Sequence, residues 1–248
     1  MAIGISIVGI EGRMGKKVLS CALNQPDYTI VGGIGRPTSP YVGKDVASLI
    51  EKAPIGVLIE SEVEASFAKT DAIIDFSSPA NARHVLTKAA SYGKPLVIGS
   101  TGHDRDFFAL LENASLTIPV LFSPNFSLGM AACLQAAELL YKKLENHFQV
   151  SIEETHHIHK KDAPSGTAIA LAKAMQKKDF PSIEIRSTRS GEVVGEHTVR
   201  FENLFETLAI THSVTSRKSF AQGALLSAKF LVKQKPGLYS FADVLGAL

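Results

Sequence analysis

The chain carries little net charge, little cysteine and no long hydrophobic run. Its 26 basic and 24 acidic side chains nearly cancel over 248 residues, leaving +2 with neutral histidine. So small a balance gives nucleic acid or an anionic membrane no electrostatic handle, and neither is expected as a partner. No apolar stretch approaches the roughly 20 residues that cross a bilayer. The start, Met1-Ala2-Ile3-Gly4-Ile5, lacks the basic and long apolar regions of a secretory signal. Cys21 and Cys133 both sit among apolar residues at helical spacing, which reads as two core thiols rather than a disulfide. These absences suggest a cytoplasmic protein. Internal repeats and low-complexity linkers are missing too. What is present is ordinary globular composition, 45% hydrophobic, enough to bury a core in one large domain or two small ones.

Up to Phe126, β-rich runs alternate with helical patterns. Ile3–Val8, Tyr28–Gly33, Ala72–Phe76, Leu96–Ile98 and Ile118–Phe122 read as strands, and Arg13–Asn24, Pro79–Tyr92 and Asp104–Ala114 as helices. Strands alternating with crossover helices predict an α/β fold with a Rossmann-type, doubly wound parallel sheet. After Phe126 the rhythm changes. A long apolar-periodic segment, Gly129–Leu144, leads to a strand at Phe148–Glu153, a histidine-rich loop and a helix from Ser165 to Lys177. Three β-like runs follow, Ile183–Arg186, Glu196–Phe201 and Glu206–His212, which predict a second, mixed α+β sheet. Arg217–Lys233 is helical again, and the tail from Gly237 is apolar at Leu238, Phe241, Val244 and Leu245.

Directly after the first strand stands Gly9-Ile10-Glu11-Gly12-Arg13-Met14-Gly15. Glycine permits the tight turn and lets backbone approach a pyrophosphate, which then meets the N–H groups and positive dipole end of the following helix. Such glycines also close strand–helix turns for steric reasons alone; their place after the first strand of a βαβ unit favours a dinucleotide. A site selective for NAD usually has an acid near the end of the second strand. Here that region reads Gly33-Ile34-Gly35-Arg36. With the acid missing and Arg36 available to a 2′-phosphate, NADPH, or use of both NADPH and NADH, is favoured over strict NADH. Gly99-Ser100-Thr101-Gly102 and Ser123-Pro124-Asn125-Phe126 also follow strands, at the edge where open α/β sheets bind ligands. They are candidates for the nicotinamide side, with Phe76-Ser77-Ser78-Pro79 a weaker one.

The most unusual stretch runs from Glu153 to Ala168 and holds His156, His157 and His159, then Lys160 and Lys161. Zinc sites need three or four ligands and commonly a histidine pair at i, i+4. These histidines stand at i, i+1 and i+3, and adjacent side chains on an extended segment point apart, so no metal is expected. A polar surface loop remains an alternative. Against it, Asp162-Ala163-Pro164-Ser165-Gly166-Thr167-Ala168 looks like a helix entry, with Ser165 or Thr167 available to cap. The small residues leave first-turn N–H groups open to an anion such as a carboxylate. Histidine and lysine beside it supply protons near neutral pH.

The run Glu154-x-His156-His157-x-His159-Lys160-x-Asp162-Ala163-Pro164-Ser165-Gly166-Thr167-Ala168 closely resembles the signature of the dihydrodipicolinate reductase family. The resemblance extends to Gly12-Arg13-Met14-Gly15, Gly99-Ser100-Thr101-Gly102, Asn125-Phe126-Ser127, Val194-Gly195-Glu196-His197-Thr198 and Ser216-Arg217. It implies reduction of a cyclic hydroxy-dicarboxylate by NAD(P)H in the diaminopimelate route to lysine. By motif position it implies His156 as proton donor, Lys160 as a second acid, and His157 with the Gly166 and Thr167 amides as substrate-binding groups. His159 could hold the loop or face the pocket; spacing does not decide. For the nucleotide, the candidates are Gly9, Ile10, Glu11, Gly12, Arg13, Met14, Arg36, Gly99, Ser100, Thr101, Ser123, Pro124, Asn125 and Phe126. The resemblance further implies a nucleotide domain of residues 1–126 plus 217–248, a substrate and oligomerisation domain of residues 127–216, and a homotetramer.

Four features depart from the family. Glu11 lies inside the phosphate turn, where a carboxylate facing pyrophosphate is repelled, so it is expected to point to solvent. Ser100 replaces a threonine, and Gly35 replaces the family's acid while Arg36 is retained. The stretch from Ile183 to Val194 is short, leaving Arg186–Gly191 as a loop without assignment. Two rivals stay open: a semialdehyde dehydrogenase, for which Cys133 would have to be a nucleophile, and a dinucleotide sensor without catalysis.

Overall fold

The computed structural model describes residues 2–176 and 183–248. The chain divides into two compact units, Met1–Phe126 with Phe220–Leu248, and Ser127–Ser219.

In the first unit β1 (Ile3–Val8), α1 (Arg13–Ala22) and β2 (Tyr28–Ile34) form the opening βαβ element, followed by β3 (Ile59–Glu60) and α2 (Glu64–Lys69). Then come β4 (Ala72–Asp75), α3 (Pro79–Ser91), β5 (Leu96–Ile98), α4 (Arg105–Ser115) and β6 (Pro119–Phe122). The strands lie in one parallel sheet of order β11-β6-β5-β4-β1-β2-β3, whose β11 (Gly237–Tyr239) comes from the C-terminal tail. Strands covered on both faces must be apolar on both, and β1, β4 and β5 are buried almost throughout. Phe67, Val85, Leu86, Leu96, Phe107 and Val120 pack in one core cluster of this unit. Ser78 starts α3 by accepting from the Asn81 amide, with Pro79 in the first turn; Asp104 starts α4 by accepting from Phe107. The order of strands reverses direction between β1 and β4, which opens a crevice at their carboxyl ends.

In the second unit α5 (Leu128–Leu144) is followed by β7 (Gln149–His156), α6 (Gly166–Met175), β8 (Glu184–Arg189), β9 (Gly195–Glu202) and β10 (Thr207–Val214). The sheet has order β10-β9-β7-β8, parallel between β7 and β8 and antiparallel elsewhere. It is the mixed sheet expected. Met130, Cys133 and Ala137 of α5 and Leu171, Ala172 and Met175 of α6 pack on Ile152, Val199 and Phe201 of the sheet. α7 (Lys218–Leu231) and α8 (Phe241–Gly246) complete the chain.

Two boundaries differ from the sequence reading in ways that matter for the site. β7 continues three residues past Glu153, so His156 ends a strand instead of opening a loop. β8 continues past Arg186 to Arg189, so most of the stretch without assignment is strand paired with β7. In both cases the extra residues are polar and pair for tertiary reasons that a hydrophobic pattern does not carry. The expected end of the sixth helix, Lys177, lies outside the described residues.

Candidate active site

The glycine turn sits at the carboxyl end of β1. Gly9 has a φ of +73°, and a Cβ there would lie 2.8 Å from the Phe76 carbonyl oxygen and the Ser77 Cα. Only glycine fits, on both conformation and space. Gly9 and Ile10 donate their amides to the Ile34 carbonyl, and Gly12 donates to the Gly9 carbonyl. Gly12 is the N-cap of α1 and provides no side-chain cap, and the first turn contains no acid. The leading amides of α1, from Arg13 and Met14, therefore have no intrahelical acceptor at the end of the turn. The Ile10 side chain is fully buried and contributes backbone only.

A cleft of about 530 Å³ opens here, lined by Gly9, Glu11, Gly12, Gly35, Arg36 and Ser77 among others. Glu11 does not point to solvent as expected. Its carboxylate leans over Gly35, whose missing Cβ leaves the space, and its Oε1 is buried with no hydrogen-bond donor among the described residues. The side chain thus runs toward the end of β2 and not outward.

Of the other nucleotide-side candidates, Phe76, Ser77 and Ser78 line this cleft, whereas Gly99–Thr101 and Ser123–Phe126 lie at neighbouring strand ends and do not. Gly99 follows β5, where a Cβ would meet the Phe76 ring. The Ser100 hydroxyl is 3.1 Å from the His103 imidazole, so it is already engaged, while Thr101 is exposed. After β6, Ser123 Oγ donates to the Asn125 carbonyl at 2.6 Å, and Pro124 is exposed. The Phe126 ring is not an available edge: it is buried and packs edge-on against Phe76 and Phe241. Asp75 at the end of β4 was not singled out from the sequence. It is fully buried, and burial pushes its carboxyl up to about 6, opposed by hydrogen bonds from Ser77.

In the second unit the histidine segment resolves into a buried part and an exposed part. Strand alternation places Ile152, Glu154 and His156 on the covered face of β7. The His156 Nδ1 is hydrogen-bonded to a Glu154 carboxylate oxygen. The carboxylate also accepts from Arg189 Nη1 at 3.0 and 3.1 Å and from the Ser165 amide at 3.3 Å. Arg189 reaches the Lys160 and Asp162 carbonyls as well, tying β8 to the turn. Burial raises the Glu154 carboxyl, but hydrogen bonds from Ser187, His156 and Arg189 outweigh it and hold it below its usual range. Burial lowers the His156 imidazole, with Glu154 opposing. Gly195 lies against this ring: a Cβ there would come 3.0 Å from Nε2.

Ser165, the expected cap, accepts from the Ala168 amide and has its hydroxyl 3.0 Å from His197 Nε2. His197 and His156 meet edge to face at 5.0 Å. Gly166 opens α6 exposed, with Thr167 beside it. Lys160 Nζ lies 2.9 Å from Asp162 Oδ1. His157 is half-buried and its Nδ1 has no partner among the described residues. His159 is on the surface, 3.7 Å from Glu192. The pattern thus brings His156, Lys160 and the start of α6 into one network and leaves His159 outside it.

Glu154, Arg189 and His197 were missed as site residues. For Glu154 the signal was the period of two with His156. For Arg189 no local signal existed. Ligand atoms of Glu154, His156 and His197 lie within 4.8 Å of one another. Yet the Glu154 oxygens are already taken, and the adjoining guanidinium opposes a cation.

His197 is pushed down to about 4, chiefly by burial and then by the nearby His156. An imidazole near 6.5 when unfolded but near 4 when folded stabilises the fold fully above pH 6.5, and that stability is lost as the pH falls toward 4. For one group the loss is at most about 3 kcal/mol. Thermal melts across that window should fall, and His197→Gln should flatten the decline. Parallel declines in both proteins would show that His197 does not titrate there.

A glycine-turn nucleotide fold carrying a separate polar, proton-bearing unit defines the class: an oxidoreductase on a dinucleotide-binding scaffold. More particularly, the chain belongs to the dihydrodipicolinate reductase family, whose N-terminus and C-terminus models match residues 3–126 and 129–245. Reductases of this family use a pyridine nucleotide and carry out the reduction step of diaminopimelate and lysine biosynthesis. The chain is 35% identical to the 4-hydroxy-tetrahydrodipicolinate reductase of Alkalilimnicola ehrlichii, covering 99% of this chain and all of that one. With the enzyme of the same name from Herminiimonas arsenicoxydans it is 36% identical, over 98% and 97% of the two chains. A dipicolinate-bound dihydrodipicolinate reductase from Paenisporosarcina sp. TG-14 shares the fold, with a TM-score of 0.78 at 22% identity over 97% and 98% of the chains. Among the described residues no helix is long and apolar enough to cross a membrane.

Proposed function

We propose that the chain reduces 4-hydroxy-tetrahydrodipicolinate, with loss of water, to tetrahydrodipicolinate, using NADPH or NADH. The buried Glu154–His156 pair at the end of β7, beside Lys160 and the start of α6, carries this reading. Loss of water from the hydroxylated ring leaves a conjugated imine, and one hydride and one proton convert it to the product. The bound reduced nicotinamide supplies the hydride; the proton is the protein's task. His156 donates it from Nε2, since Nδ1 is held by Glu154. Lys160 is the second acid and a counter-charge for the substrate. His157 and the Gly166 and Thr167 amides bind substrate carboxylate, as an anion at a helix N-terminus.

The backbone from Gly9 to Met14 takes the pyrophosphate, and Arg36 is the cation for a 2′-phosphate. The loops Gly99–Thr101 and Ser123–Phe126 serve the nicotinamide side. In this reading residues 1–126 with 217–248 hold the nucleotide, and residues 127–216 hold the substrate. The open face of the β10-β9-β7-β8 sheet joins four copies, in the cytoplasm.

The test is a coupled assay. The purified protein, given the product of dihydrodipicolinate synthase and either nucleotide, should oxidise it and lose the absorbance of the reduced nicotinamide. Oxidation of neither NADPH nor NADH would overturn the assignment. Light scattering on the same preparation should give the mass of four chains, and a monomer would remove the tetramer.

A further inference from the structure

The geometry points to Glu11 as the residue that reads the ribose of the nucleotide, in place of the acid that β2 lacks. This inference rests on the proposal that the cleft at the ends of β1 and β2 takes the adenosine end of the cofactor.

Dinucleotide folds that accept NADH usually place a carboxylate at the end of the second strand, where it receives the ribose hydroxyls. Here β2 ends at Ile34 and is followed by Gly35 and Arg36, without an acid. The carboxylate comes instead from the turn after β1. A Cβ added to Gly35 would collide with Glu11 Oε1 and lie 3.0 Å from Glu11 Cδ. The glutamate therefore stands in the space through which an acidic side chain at position 35 would pass. Gly35 is the complement of Glu11, because any larger residue would displace it.

The Oε1 atom is buried without a donor among the described residues, although Glu11 lines the cleft. A carboxylate oxygen left unpaired is costly, and a donor arriving with the ligand relieves that cost. Ribose brings two hydroxyl donors, and a carboxylate has acceptors for both. A 2′-phosphate brings only acceptors and negative charge. The cleft is also lined by Glu62, Arg36 and His84, so a second carboxylate shares it with the arginine. Glu11 thus tilts the site toward NADH, and Arg36 keeps NADPH admissible.

Direct binding of NADH and NADPH to the full chain, followed by nicotinamide fluorescence, tests this for the wild type, Glu11→Gln and Gly35→Ala. Glu11→Gln should shift the ratio of the two Kd values toward NADPH by about tenfold or more, the scale of one charge-assisted hydrogen bond. Gly35→Ala, which pushes a methyl into the carboxylate, should move the ratio the same way and serves if Glu11→Gln does not fold. Arg36→Ala should move it toward NADH. The double variant Glu11→Gly/Gly35→Asp, with the acid transposed to β2, should restore the wild-type ratio. A ratio unchanged in folded Glu11→Gln and Gly35→Ala, with both nucleotides still bound, overturns the role of Glu11 alone. A wild type that binds neither nucleotide overturns the nucleotide site itself.

Discussion

Replacing His156 with glutamine should lower kcat by about 10²–10⁴-fold, the usual contribution of a positioned general acid, while the melting temperature changes little. Glutamine keeps an amide that can donate to Glu154, but it has no proton to give. The pH profile makes the prediction specific. Burial holds the His156 imidazole below its ordinary range, against the opposing pull of Glu154. A donor must be protonated, so activity through His156 is present at low pH and falls as the pH rises through its pKa. Because kcat/KM reports the free protein, its falling limb should lie below 6.5. A doubly anionic substrate favours the imidazolium, so the limb of kcat should lie higher. In His156→Gln the limb should vanish. If the variant stays within about threefold of the parent, or the limb follows Lys160→Met instead, the donor is Lys160.

Much of the scaffold was legible because its signals are local. The parallel sheet followed from apolar runs separated by helical periods, and the cap at Ser165 from a short-range pattern. What escaped was either too short for periodicity, such as β3 with two residues and α2 with six, or decided by partners distant in sequence. Glu154-Thr155-His156-His157 reads as a loop because it is polar. Up to His156 it is strand because Arg189, 35 residues away from Glu154, and Ser165, 11 residues away, satisfy the carboxylate on the covered face. Glu11 was misread for a related reason. Repulsion by a pyrophosphate says where its carboxylate cannot go, whereas the space left by Gly35 says where it does go.

The largest stability effect should come from Arg189→Met. The Glu154 side chain is wholly inaccessible and that of Arg189 is 20% exposed, so their contact is screened far less than a surface ion pair. Removing the guanidinium leaves the carboxylate with His156, Ser187 and the Ser165 amide, and uncouples β8 from the Asp162 carbonyl. Losing one partner of a buried pair typically costs about 3–5 kcal/mol, because the other charge stays desolvated. The chain has no tryptophan, so urea unfolding is best followed by far-UV circular dichroism. The cost should depend on pH with a definite sign. The Glu154 carboxyl is depressed in the folded protein, so its stabilisation is present above the unfolded value and is lost as the pH falls through the folded one. The penalty of Arg189→Met should therefore be full at pH 7 and shrink in acid, where the unpaired carboxyl is neutral. Adding Glu154→Leu to Arg189→Met should recover much of the stability, since an apolar pair of similar volume needs no solvation. It should not recover activity, because His156 then has no carboxylate on Nδ1 to set its tautomer. A cost below about 1 kcal/mol, as for exposed pairs, would mean that the network does not hold the site together.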